Sequence, residues 1–216
     1  MMFENRENAA KLLLEKLDHY KNKNVIVAGI PRGAMPMAKI IADGLNAKLS
    51  AILVHKLPSP DNVEFAVGSI GLSGHVHHSG YVETYGIPES YMKMVASHEL
   101  KKLKDRQKKY AMENPDFKNK TVIIVDDGIA TGATTVCAIH EVRSYSPRKV
   151  VLAVPISSID AAARLRSLVD EFIPLYLPQR MFSIGEFYKS FPQVTDEEVI
   201  EMLHSESRGE EHQAPF

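Results

Sequence analysis

The chain contains a single cysteine, Cys137, so no internal disulfide can form. It falls in an apolar helical pattern, where a buried structural thiol is the expected role. No apolar run approaches the ~18 residues that a membrane span requires. The first eleven residues mix charged and polar side chains, unlike the apolar stretch of a signal peptide. An excess of charge is missing too: 26 Lys+Arg face 27 Asp+Glu, a formal net charge of −1. Nucleic-acid binding by bulk charge is therefore not suggested. No internal repeat is present. The expectation is a cytoplasmic protein that does not enter a membrane. Its 216 residues, 44% of them hydrophobic, suffice for one domain with a substantial core.

Within these limits the chain alternates between two periodicities. Residues 4–21 place Ala9, Leu12, Leu13 and Leu17 near one helical face. Residues 24–30 are a short apolar run rich in β-branched side chains, suited to a strand buried on both faces. A helix over 34–45 and a strand over 49–54 follow, which together resemble a parallel β-α-β unit. Further strands are expected at 121–125, 149–155 and 171–176, with helices near 131–145 and 159–169. The pattern predicts an α/β protein: a three-layer, Rossmann-like fold with a mostly parallel sheet of about five strands. Residues 88–112 read as a long charged helix whose lysines are most simply a solvated face. Residues 56–86 break the pattern with Pro58, Pro60, Gly68, Gly71, Gly74 and Gly80. Such a stretch is expected to be a lid or binding loop, or to hold a short hairpin. Thr195 to Glu198 fits a capping box ahead of a last helix, and 205–216 is expected to fray.

The chemistry concentrates where the apolar strand 121–125 ends in Asp126 and Asp127. Gly128, Ile129, Ala130, Thr131, Gly132, Ala133, Thr134 and Thr135 then lead into a helix. A helix N-terminus offers unpaired N–H groups and partial positive charge, which favour phosphate. Gly132 and Ala133 let backbone approach an anion, and the three threonines can donate hydroxyl hydrogen bonds. Carboxylates at the carboxyl end of a parallel strand suit sugar hydroxyls. A capped helix behind a solvated acidic turn would explain one acid and one threonine, but not the whole array. His75, His77 and His78 bring no acid or cysteine within a few residues. Exposed loop histidines explain them more simply than a metal site does.

Residues 122–135 resemble the phosphoribosyl-pyrophosphate motif of type I phosphoribosyltransferases. The likeness extends over 25–56, 64–68, 121–155 and 178–198, a subgroup described as predicted phosphoribosyltransferases. It implies that Asp126 and Asp127 hold ribose hydroxyls, directly or through Mg²⁺ waters, and that residues 130–135 wrap the 5-phosphate. It implies that Pro31, Arg32 and Gly33 form the pyrophosphate loop, a loop that often has a cis peptide in this family. Lys56 takes the place of a pyrophosphate cation, although a surface lysine would also account for it. Ala130 stands where enzymes acting on 6-oxopurines usually carry an Asp, which lowers the expectation of hypoxanthine or guanine.

The resemblance further implies Mg²⁺ as cofactor, held through the substrate and Asp126 or Asp127, with phosphoribosyl pyrophosphate and a nitrogenous base as substrates. The family is often a homodimer. The catalytic set so implied is Arg32, Lys56, Asp126 and Asp127. Residues 56–86 are the lid candidate, and 1–21 with 178–195 the hood candidate. Phe182, Phe187 and Tyr188 could stack on a base or fill the core. A non-catalytic regulator on the same fold is the alternative. No Gly-rich Lys-Ser/Thr loop supports a pyrophosphokinase, and Cys137 is poorly placed to act as a glutaminase nucleophile.

Overall fold

A computed structural model describes residues 2–62 and 65–205. In chain order its first elements are α1 (Arg6–Leu17), β1 (Val25–Gly29), α2 (Met35–Leu45), β2 (Lys48–Ala51), β3 (Val54–Pro58), β4 (Ala66–Gly71), β5 (Val76–His78) and α3 (Tyr81–Thr84). There follow α4 (Glu89–Lys109), β6 (Thr121–Val125), α5 (Ala133–Ser144), β7 (Lys149–Ile156), α6 (Ile159–Arg166), β8 (Glu171–Tyr176) and α7 (Asp196–His204).

Five strands form a fully parallel sheet in the order β2-β1-β6-β7-β8. Strand geometry sends alternate side chains to opposite faces. Val25, Val27, Ile123, Val125, Val151 and Ala153 accordingly pack with α1 and α2. Ile26, Ala28, Val122, Ile124, Leu152 and Val154 pack with α5 and α6. Two covered faces explain why these strands read as unbroken apolar runs. Each such side chain contributes roughly 1.5–3 kcal/mol on burial.

Register positions the site. Gly29 pairs with Val125, so β1 and β6 end side by side. From β1 the chain crosses to β2 on one side, and from β6 to β7 on the other. A crevice opens between strands whose connections diverge in this way. The loops 30–33 and 126–132 both leave from it.

Residues 54–78 differ from expectation. Here β3, β4 and β5 form a second, antiparallel sheet, one strand larger than the short hairpin that was one of the two expectations for this stretch. The expected strand 49–54 is divided: β2 ends at Ala51, and Val54 already belongs to the second sheet. Leu57, Val67 and Ile70 of this sheet share a core with Met92, Val95 and Leu103 of α4. The lysines of α4 are exposed, with Lys102 paired to Glu99 and Lys109 to Asp196. Thr195 and Glu198 make the expected capping box. Glu64 and the tail 206–216 lie outside the described residues. No helix among the described residues is long and apolar enough to cross a membrane.

Candidate functional site

A cleft of about 290 Å³ lies at the carboxyl ends of β1 and β6. Its walls are Ile30, Pro31, Gly33, Ile184 and every residue from Asp126 to Thr135. The loop after β6 is held from behind. Ile129 donates to the Ile156 carbonyl at 2.9 Å and accepts from Ser158 N–H at 2.9 Å. The Ser158 hydroxyl donates to the Ala130 carbonyl at 2.6 Å, and Arg164 donates to that of Thr131.

Gly132 is the N-cap of α5 at φ 72°, a left-handed conformation that favours glycine. No side chain caps this helix. The Ala133 amide has only a 3.5 Å contact to the Thr131 hydroxyl. Those of Thr134 and Thr135 donate to no described residue. Three N–H groups at the positive end of a helix thus line the cleft, a ready anion site. Thr131 and Thr134 are exposed. The Thr135 hydroxyl is committed elsewhere, donating to Asp126 Oδ2 at 3.0 Å.

The two acids differ. Asp126 Oδ1 accepts the Asp127 amide at 3.0 Å, so both its oxygens have protein donors. Asp127 Oδ2 accepts from Arg6 twice, from Nε at 3.0 Å and Nη2 at 2.8 Å. Asp127 Oδ1 accepts no hydrogen bond from another described residue. Burial, with the charge of Asp127 beside it, pushes the Asp126 carboxyl well above the usual range. Burial raises Asp127 as well, opposed by the Arg6 guanidinium. Tyr188 is also raised, first by burial and then by the Asp127 charge. Its hydroxyl donates to the Asp127 carbonyl at 2.6 Å.

The peptide Pro31-Arg32 is cis. A Cβ at Gly33 would overlap Asp127 Oδ2, so a larger residue there would have to displace the carboxylate that Arg6 holds. Arg32 is exposed, and its guanidinium makes no hydrogen bond or ion pair with the described residues. Its charge reaches Tyr110 and Asp196. Lys56 sits on β3 opposite Ser69 and is exposed. Neither Arg32 nor Lys56 lines the cleft, and no described residue of 56–86 does so.

Arg6, Ile184 and Tyr188 are the site neighbours that sequence reasoning did not single out for these roles. Arg6 was one more charge at the start of an amphipathic helix, and nothing local separates it from Lys11 or Lys16. The segments expected to supply a hood, 1–21 and 178–195, do meet beside Asp127. Phe3 bridges to Tyr188, and Arg6 donates to the Pro192 carbonyl at 2.6 Å. No group of three or more His, Cys, Asp or Glu among the described residues could hold a metal ion.

The phosphoribosyl transferase domain family matches residues 2–174. Two Mycobacterium tuberculosis proteins, each named "Putative phosphoribosyl transferase", are 35% identical over 205 residues, 94% of this chain and 46% of theirs. The chain thus spans about half the length of these curated relatives. The crystal structure of TT1426 from Thermus thermophilus is 35% identical, with a TM-score of 0.85 over 94% of this chain and 98% of that one. With a strand-to-helix loop at the end of a five-stranded parallel sheet, the chain belongs to the phosphoribosyl transferase domain family and has the type I fold.

Proposed function

We propose that the protein is a phosphoribosyltransferase. It binds 5-phosphoribosyl 1-pyrophosphate with Mg²⁺ and transfers the phosphoribosyl group to a nitrogenous base, releasing pyrophosphate. The observation that carries this reading is the pairing, in one cleft, of three α5 amides with no strong protein partner and a carboxylate with one open oxygen. The amides match a 5-phosphate, and Asp127 Oδ1 matches a ribose hydroxyl.

In the reaction a ring nitrogen of the base bonds to C1 of the ribose as the C1–pyrophosphate bond breaks. Positive charge builds on the ribose ring and negative charge on the leaving group. Catalysis is then mostly positioning and electrostatics. Residues 126–135 fix the ribose 5-phosphate, and Pro31 to Gly33 border the side where pyrophosphate leaves. The Arg32 guanidinium, unpaired among the described residues, can swing a planar fork of donors toward it. Bound Mg²⁺ would neutralise pyrophosphate charge. The donor set fits an ion carried in by substrate, since three of the four carboxylate oxygens of the acidic pair already have protein partners. Asp127 is the residue that would reach the ion or its water. Among the expected stacking aromatics, Tyr188 is buried and Phe187 packs against Tyr176. Phe182, 89% exposed, is the one left to stack on a base.

One observation favours a second reading, a non-catalytic regulator that binds phosphoribosyl pyrophosphate or a nucleotide. Lys56 lies on another sheet and does not line the cleft, so an expected leaving-group cation is missing from its lining. Calorimetry with phosphoribosyl pyrophosphate and Mg²⁺, then a pyrophosphate-release assay over a panel of bases, separates the two. Binding with base-dependent release supports the transferase. Binding without release supports the regulator, and no binding rejects both. The double variant Asp126→Asn with Asp127→Asn should lose about 100-fold in affinity, equal to roughly 2.7 kcal/mol, with its circular dichroism unchanged. Unaltered affinity would remove the acidic pair from the site.

A further inference from the structure

Arg6 is 8% exposed and every nitrogen of its guanidinium has a use. Nε and Nη2 both donate to Asp127 Oδ2, and Nη1 donates to the Pro192 carbonyl. The Phe191 ring lies under it, 3.7 Å from Cζ to centroid. Phe191 stacks on Tyr188 at 4.7 Å, and Tyr188 meets Phe3 at 5.5 Å. The front of the guanidinium abuts the pyrophosphate-loop backbone, because a Cβ at Gly33 would sit 3.3 Å from Nη2. One side chain therefore touches the loop after β1, the acid after β6 and the 188–192 segment at once.

Burying a guanidinium this completely is costly unless it is paired and hydrogen-bonded. Here it is, and the partner is a ligand-facing acid and not a remote structural one. Double donation to a single oxygen consumes Oδ2 and leaves Oδ1. Each Asp126 oxygen already accepts one protein hydrogen bond, so Oδ1 of Asp127 is the one oxygen of the acidic pair with no donor from another described residue.

We infer that Arg6 is a positioning residue for the ribose: it holds Asp127 by one oxygen so that the other, Oδ1, is the acceptor for a ribose hydroxyl. This rests on the reading of the cleft as a ribose 5-phosphate site. Arg6 does not touch the reacting atoms and acts through Asp127. It ties ribose recognition to the N-terminal segment and to residues 188–192, both outside the phosphate loop.

The test separates ribose from phosphate. Wild-type protein is first titrated with phosphoribosyl pyrophosphate and Mg²⁺. Absence of binding overturns the reading of the cleft, and the inference with it. Wild type, Arg6→Gln and Arg6→Lys are then titrated with ribose 5-phosphate and with inorganic phosphate. Arg6→Gln should weaken ribose 5-phosphate by about 10- to 100-fold, the scale of a lost hydrogen bond to a charged group. Arg6→Lys, which keeps the charge, should recover most of that loss. Phosphate affinity should stay within about twofold of wild type, because the α5 amides are untouched. Ribose 5-phosphate binding by Arg6→Gln equal to wild type overturns the inference. So does a parallel loss of both ligands in both variants, the mark of a merely structural role. If Arg6→Gln does not fold, Phe191→Leu removes the supporting ring and keeps the cation. A loss confined to ribose 5-phosphate then supports the role, and no loss overturns it.

Discussion

The two sheets are built on opposite plans. The parallel sheet is apolar on both faces, and its polar chemistry is confined to the edge where strands end. The antiparallel sheet buries one face on α4 and turns polar side chains toward α5. There His77 stacks on His140 at 3.5 Å between ring centroids, and Gly71 packs against Glu141. A face held by dispersion and burial is hard to open by small steps. One held by imidazoles, a buried carboxylate and a short edge strand can open locally. The parallel sheet is thus the firmer support for the loop 126–132. The antiparallel one is expected to open at lower cost, and the measurements below test that.

Three measurements would sharpen or break this contrast. The largest effect belongs to the parallel sheet. Ile124→Ala, at a fully buried position, should cost about 2–5 kcal/mol of global stability in denaturant unfolding. A smaller cost would mean that the central core is looser than its packing implies.

Next comes Gly71→Ala. Its Cβ would overlap the Glu141 carboxylate, which is pinned by the Ser73 amide and hydroxyl and by Tyr145. The expected cost is about 1–3 kcal/mol. Amide exchange should quicken in β3–β5 while β6 and inorganic phosphate affinity are unchanged. Loss of phosphate binding as well would show the two sheets to be one cooperative unit.

The smallest effect is one of pH. His77 and His140 are both lowered, first by burial and then by a neighbouring imidazole, His78 for His77 and His77 for His140. A folded value below the unfolded one, about 6.5, means the contribution is present above that pH and fades as pH falls through the folded value. Acidification from pH 7 to 5 should thus lower protection factors, taken against intrinsic rates at each pH, in β5 but not in β6. His140→Asn should remove most of that dependence, and an unchanged profile would deny the imidazole pair any part in docking.

The same contrast decides what was legible in the sequence. Runs such as 121–125 show their nature because both faces want the same residue types. The loop 126–135 shows its nature because a short stretch carries acids, glycine and threonines together. Between 54 and 78 the sequence showed a short hairpin only as an alternative to a loop, because Pro58 lies at a strand end and Gly68 and Gly71 lie inside β4, where they read as loop punctuation. Gly71 is needed for close approach to Glu141, a contact 70 positions away that no local pattern announces. Lys56 followed from its place after a strand, but the strand had changed sheets two residues earlier, at Val54. Arg6 was invisible because its partner is 121 positions distant.

The bridge between Phe3 and Tyr188 has a practical side. Phe3 donates to the Phe187 carbonyl at 2.8 Å and accepts from Lys189 at 2.9 Å, three residues before Arg6. An affinity tag fused ahead of Met2 would join the protein next to a contact that braces Asp127. A titration run on such a fusion would report on a disturbed cleft, so the tag should be cleaved before any ligand is scored as refused.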